Sequence, residues 1–150
     1  MKWLRWTAVA VTLAGGVSVA QAVDTEQSTD APDLTSVRAQ IRARNYAAAV
    51  GELKGMIDKG IQHADLYSLL GFSLRKSGDQ KMAMTFYTKA LEFNPDHKGA
   101  LEYQGELFVE IGDLTKARLN AAKLAKLCPQ GCEEREDLDK AIGGALAKTQ

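Results

Sequence analysis

Three sets of residues in this chain have types and spacings suited to chemistry. Cys128 and Cys132, its only cysteines, bracket the turn in "LCPQGC". Such a pair can form a disulfide, a redox couple or half of a soft metal site. Glu102, Glu106 and Glu110 recur every fourth residue, which sets three carboxylates along one face of a helix. Such a face is usually solvated or pairs with nearby bases, and it does not flank a substrate from two sides as an acid–base pair must. His63 and His97, the only histidines, stand 34 residues apart. There is no G-x-S-x-G, no H-E-x-x-H, no P-loop and no histidine beside a nucleophile, so the sequence reads as non-enzymatic and without a cofactor.

Which chemistry the thiols do depends on the compartment. The chain opens "MKWLRWTAVAVTLAGGVSVAQA", with Lys2 and Arg5 ahead of an apolar run and Ala20-Gln21-Ala22 as an A-x-A cleavage site. This reads as a secretory signal peptide over residues 1–22. The run is short for a membrane span, and no cysteine precedes Cys128 to carry a lipid. The expected product starts at Val23 and is periplasmic. Without Lys2 and Arg5 it holds 17 basic against 19 acidic residues, a net charge of −2. That balance argues against nucleic acid and against an anionic membrane surface as partners. Residues 23–32, "VDTEQSTDAP", carry three acids and almost nothing apolar, and read as a flexible acidic leader.

The elements that must position these residues repeat with a period of 34. From Ala64 to His97 the chain shows Tyr67, Leu70-Gly71, Leu74, Gly78-Asp79, Ala83, Tyr87, Ala90 and Pro95. The next block, from Lys98, has Leu101, Gln104-Gly105, Phe108, Gly112-Asp113, Ala117, Ala121, Leu124 and Pro129 at the same places. The preceding block is worn: Val37 stands where glycine is usual, Arg44-Asn45 replaces Gly-Asp, and no proline closes it. Each block predicts two helices joined by a left-handed glycine turn with an aspartate N-cap. Gly71 and Gly105 fall inside helices, where close approach of a partner helix must offset about 1 kcal/mol of lost propensity. Ala83 and Ala117 are the expected small partners. Beyond Cys132, Leu138, Ala141, Ile142 and Ala145 make one apolar face behind an acidic first turn, and Gly143-Gly144 is where that helix is expected to fray or end.

This pattern resembles the tetratricopeptide repeat (TPR) family. The resemblance implies an all-α fold, an α-solenoid of three helix pairs (about 30–63, 64–97 and 98–131) plus a capping helix over about 132–147, in a domain spanning 33–147. It also implies a concave groove lined by the first helix of each pair, where a protein or peptide segment binds. Carried over position by position, the lining includes Arg38, Ile41 and Arg42, then Asp65, Ser68, Phe72, Arg75 and Lys76, then Gly99, Glu102, Glu106, Val109 and Glu110. The groove would run from basic to acidic with Phe72 as a central aromatic anchor. Phe72 packed on the next repeat, and glutamates paired with neighbouring bases, are the plainer alternatives. The lysine and asparagine clamp of chaperone-tail-binding members is absent, since its first-block positions hold Leu34 and Arg38.

In an oxidising compartment the even cysteine count favours a Cys128–Cys132 disulfide that staples the last repeat to the capping helix. The alternative is a thiol or copper carrier. The C-x3-C spacing is similar to the copper-carrying pair of cytochrome oxidase assembly chaperones, although their thioredoxin-like fold does not resemble this helical pattern. The expected function is an exported scaffold or assembly factor that holds a partner segment, with self-association open.

Overall fold

The structure, a computed structural model, describes residues 31–148. The expected signal peptide and most of the expected acidic leader lie outside these residues. The described part contains seven helices and no strand: α1 (Thr35–Arg42), α2 (Tyr46–Asp58), α3 (Ala64–Lys76), α4 (Gln80–Phe93), α5 (Lys98–Glu110), α6 (Leu114–Leu127) and α7 (Glu133–Ala147). Each helix packs on the next, and α3–α5 and α5–α7 also touch. The fold is therefore an all-α, solenoid-like stack of helical repeats, in which contacts stay between neighbours.

Local chemistry explains the turns. Gly78 (φ 93°) and Gly112 (φ 83°) adopt the left-handed conformation that ends α3 and α5. The following aspartates cap the next helices: Asp79 accepts from the Met82 N–H at 3.0 Å, and Asp113 from the Lys116 N–H at 3.1 Å. In the worn first repeat, Arg44 must take the same left-handed turn (φ 58°), and Asn45 makes no side-chain cap bond.

The two histidines do matching work between repeats. His63 Nδ1 accepts from the Asp65 N–H at the start of α3, and His97 Nδ1 accepts from the Ala100 N–H at the start of α5. With Nδ1 accepting, the proton of neutral His97 sits on Nε2, which donates to Asp65 at 2.7 Å. The start of α5 is thereby tied to the start of α3.

The core follows the repeat. Leu53, Leu66, Tyr67, Leu70, Ala83 and Tyr87 are buried in one cluster over α2–α4, with Phe86 and Leu91 half-buried against it. Gly71 lies under the Tyr87 ring, and a Cβ there would come within 2.6 Å of that ring and 3.1 Å of the Ala83 carbonyl. Gly105 differs from expectation. Its close neighbour is Leu138 of α7, not Ala117; a Cβ would stand 2.5 Å from a Leu138 methyl. The third repeat has Ala121 at the place of Tyr87, and the capping helix sends Leu138 over the equivalent glycine.

Gly143-Gly144 does not end the capping helix, which continues through the pair to Ala147. Leu138 and Ile142 are buried before the glycines, and Leu146 packs on the same cluster after them. Anchoring on both sides carries the helix across the pair.

Candidate functional site

The first helices of the repeats and α7 enclose a cleft of about 480 Å³. Arg38 comes from α1; Asp65, Ser68, Leu69, Phe72 and Lys76 from α3; Glu102, Tyr103 and Glu106 from α5; Glu133, Glu134 and Asp137 from α7. A smaller recess continues from it between α1 and α3, past Ile41 and Arg42. No helix among the described residues is long and apolar enough to cross a membrane.

Aromatic rings form the middle of the cleft. Phe72 and Tyr103 have centroids 4.8 Å apart in a tilted arrangement, and Tyr46 meets Phe72 edge-on at 6.3 Å. The Lys76 ammonium lies 5.3 Å from the Phe72 ring centre, within cation–π range. Phe72 is half-buried, so it packs on the neighbouring repeat and still presents part of its ring to the cleft. Burial, followed by the charge of Glu102, pushes the Tyr103 hydroxyl up to about 12.

Charge is uneven in the cleft. Arg38 and Lys76 are exposed on α1 and α3 and Arg42 in the recess, while the carboxylates come mostly from α5 and α7, with Asp65 on α3. Arg75 does not belong to this surface. Its side chain is 3% exposed and lies between α3 and α5, where it pairs closely with Glu106 and, at 3.3 Å, with Glu110. Glu110 also accepts from Gln80 at 3.2 Å. The physical reason is the position of Arg75 on the last turn of α3: its long stem reaches the C-terminal half of α5. Glu106 and Glu110 are thus inter-repeat partners, and Glu110 with Val109 lies in a separate groove toward α7.

Glu102 is the remaining member of the glutamate series. It is 8% exposed, lines the cleft, and has no hydrogen-bond or ion-pair partner among the described residues. Burial, reinforced by Glu106, Asp137, Glu134 and Glu133, pushes its carboxyl up to about 8. Ser68, 2% exposed, also lines the cleft, and its hydroxyl has no partner among the described residues.

Leu69, Tyr103 and the α7 carboxylates were missed as lining residues. Leu69 and Tyr103 are 34 residues apart, so one repeat position supplies both apolar side chains, and that signal was present in the sequence. The α7 acids read only as an N-terminal charge cluster, and nothing in the repeat says that their helix folds against α5.

At the end of the stack, Cys128 follows α6 and Cys132 is the N-cap of α7. Their Cα atoms are 6.0 Å apart and the sulfurs face each other at bonding distance across a turn closed by Gly131 (φ 103°). No group of three or more His, Cys, Asp or Glu side chains among the described residues is placed to hold a metal ion.

Comparison with known proteins agrees with this geometry. Residues 64–97 match the family model "Tetratricopeptide repeat". The chain is also similar to the "Uncharacterized protein ycf37" of Pyropia yezoensis, 32% identical over 81 residues. That alignment covers 54% of this chain and 43% of the relative, so the chain spans less than half of the relative's length.

Proposed function

We propose that this helical-repeat chain, with a tetratricopeptide repeat at its centre, is a non-enzymatic interaction module that holds a segment of a partner protein in the concave cleft. The single observation that carries this reading is the Phe72–Tyr103 pair, two aromatic rings 4.8 Å apart in a cleft lined by Arg38 and Lys76 and by carboxylates mostly from α5 and α7. Rigid aromatic surface flanked by charge gives affinity from the rings and register from the charges. The protein works in this reading as an exported scaffold or assembly factor of the cell envelope, and the repeat fold by itself names no ligand. In that oxidising space Cys128 and Cys132 form a disulfide that fastens α7 to the third repeat.

The test is capture of partners from a native envelope extract by the tagged protein, in parallel with a Phe72→Ala, Lys76→Glu variant. Both positions lie on the cleft, and neither belongs to the Arg75 ion pair. An identified partner that binds the purified wild type directly and the folded variant at least about tenfold more weakly supports the cleft. Equal binding by both excludes it. Mass spectrometry of the secreted protein checks export and the thiols together: the expected chain begins at Val23 and takes up no alkylating reagent before reduction.

A further inference from the structure

We propose that the acidic end of the cleft receives a lysine or arginine side chain of the partner segment, with Glu102 as its buried acceptor. This rests on the reading of the cleft as a segment-binding groove. One observation beyond the acidic cluster points to a ligand. Glu102 is 8% exposed, lines the cleft, and has no hydrogen-bond partner among the described residues. Buried polar groups without partners are uncommon and costly in native proteins. A carboxylate presents acceptors, and a basic side chain brings several N–H donors on one positive centre.

The charges around the site favour the same occupant. Of the carboxylates facing Glu102, Glu106 is held by Arg75, and Asp65 is held by His97. Glu134 has only Lys98, at 3.9 Å. Glu133 and Asp137 on α7 have no ion-pair partner among the described residues. The cations of the cleft, Arg38 and Lys76, come from α1 and the far end of α3, and His97 stands at its rim. A partner cation would therefore meet a negative field that the chain leaves uncompensated.

That field also couples binding to protons. Burial, and then the neighbouring acids, push the Glu102 carboxyl up to about 8, which favours its protonated form near neutral pH. A bound ammonium or guanidinium favours the carboxylate, so the Glu102 proton leaves to solvent as the cation enters. Binding near neutral pH should release up to about one proton and strengthen as pH rises toward 8.

The probe is a randomised dodecapeptide library with blocked termini, selected near neutral pH on the purified full-length chain. Selected peptides are resynthesised with norleucine for lysine or citrulline for arginine. The expected result is a basic residue at a fixed position whose neutral replacement weakens binding about tenfold or more. Calorimetry in buffers of different ionisation enthalpy should show proton release. Glu102→Gln should remove that release and shrink the difference between charged and neutral peptides. A Glu133→Gln, Asp137→Asn variant, with the buried residue intact, should narrow the same difference. Peptides that bind the cleft, are lost with Phe72→Ala, yet show no basic preference or no response to Glu102→Gln overturn this inference and leave the groove reading standing. If no selected peptide is lost with Phe72→Ala, the groove reading falls and this inference with it.

Discussion

The guanidinium of Arg75 on α3 is closed by the carboxylate of Glu106 on α5, so the pair spans consecutive repeats inside the stack. The Arg75 side chain is almost fully buried, and its Nε has no further partner among the described residues. Glu106 is more open, and Glu110, the second partner, is more open still. Removing Glu106 leaves a buried cation half-compensated. Removing Glu110 leaves the closer pair in place. We expect Glu106→Ala to cost roughly 2–4 kcal/mol and Glu110→Ala less than about 1 kcal/mol, measured by urea denaturation. Equal costs would show that the two carboxylates share the cation evenly. Arg75→Glu, which sets three carboxylates together, should unfold the stack and is unsuited to testing the groove.

Gly105 and Leu138 give the second prediction. Leu138 is fully buried and occupies the space into which a Cβ at Gly105 would project. Gly105→Ala gains helix propensity of about 1 kcal/mol but must displace the anchor of α7, an overpacking cost of about 1–3 kcal/mol. The expected result is net destabilisation confined to the end of the chain. Hydrogen exchange should quicken in α7 and the end of α6 while α3 and α4 keep their protection. A Gly105→Ala, Leu138→Ala double change should recover part of the loss. Independent, additive effects would mean that the two residues are not in contact.

Fold and site were legible to different depths. The period of 34 placed the helix pairs, and Gly-Asp placed their turns, because those signals are local. Phe72, Lys76 and Glu102 were legible as cleft residues because the repeat fixes which helix faces the concave side. Arg75 was not distinguishable from Lys76 in the sequence. Both sit at the end of α3, and only the angle between repeats decides which cation is buried against α5. Leu138 over Gly105 was hidden for a related reason: its helix lies outside the period, and the small Ala121 that makes room for it reads as an ordinary repeat position. The helix through Gly143-Gly144 shows tertiary anchoring overriding local propensity.

Arg44 carries a third prediction. It holds the left-handed turn (φ 58°) that glycine holds in the two later repeats. A non-glycine residue pays roughly 1 kcal/mol there. Arg44→Gly should raise the stability of the first helix pair by about 0.5–1 kcal/mol, with a smaller gain of about 0.3 kcal/mol from Asn45→Asp, whose charge favours the helix N-terminus. Peptide binding should be read alongside, because Asn45 adjoins Tyr46, whose ring meets Phe72. Thermal melts of the single and double variants check these gains, and a fall in melting temperature for Arg44→Gly would mean that the arginine side chain makes a stabilising contact.

The pH dependence of stability provides the last prediction. Burial first, and then the neighbouring acids, raise the folded Glu102 carboxyl to about 8 from 4.5. Between those values the unfolded chain has lost a proton that the folded chain keeps. Fewer protons bound in the unfolded state means that stability falls as pH rises through this window. The opening of the cleft screens part of the effect, leaving roughly 1–3 kcal/mol. Asp65 acts in the opposite sense. Its hydrogen bond from His97, against an opposing burial effect, holds its carboxyl below 3.8. Its contribution is therefore present above the unfolded value and is lost as pH falls through the folded one. The wild type should accordingly be most stable in mildly acid solution. Glu102→Gln should leave the acid limb in place and flatten the decline toward pH 8. An unchanged profile, followed by denaturant midpoints across this range, would show that Glu102 titrates as an ordinary solvated carboxylate in the folded chain.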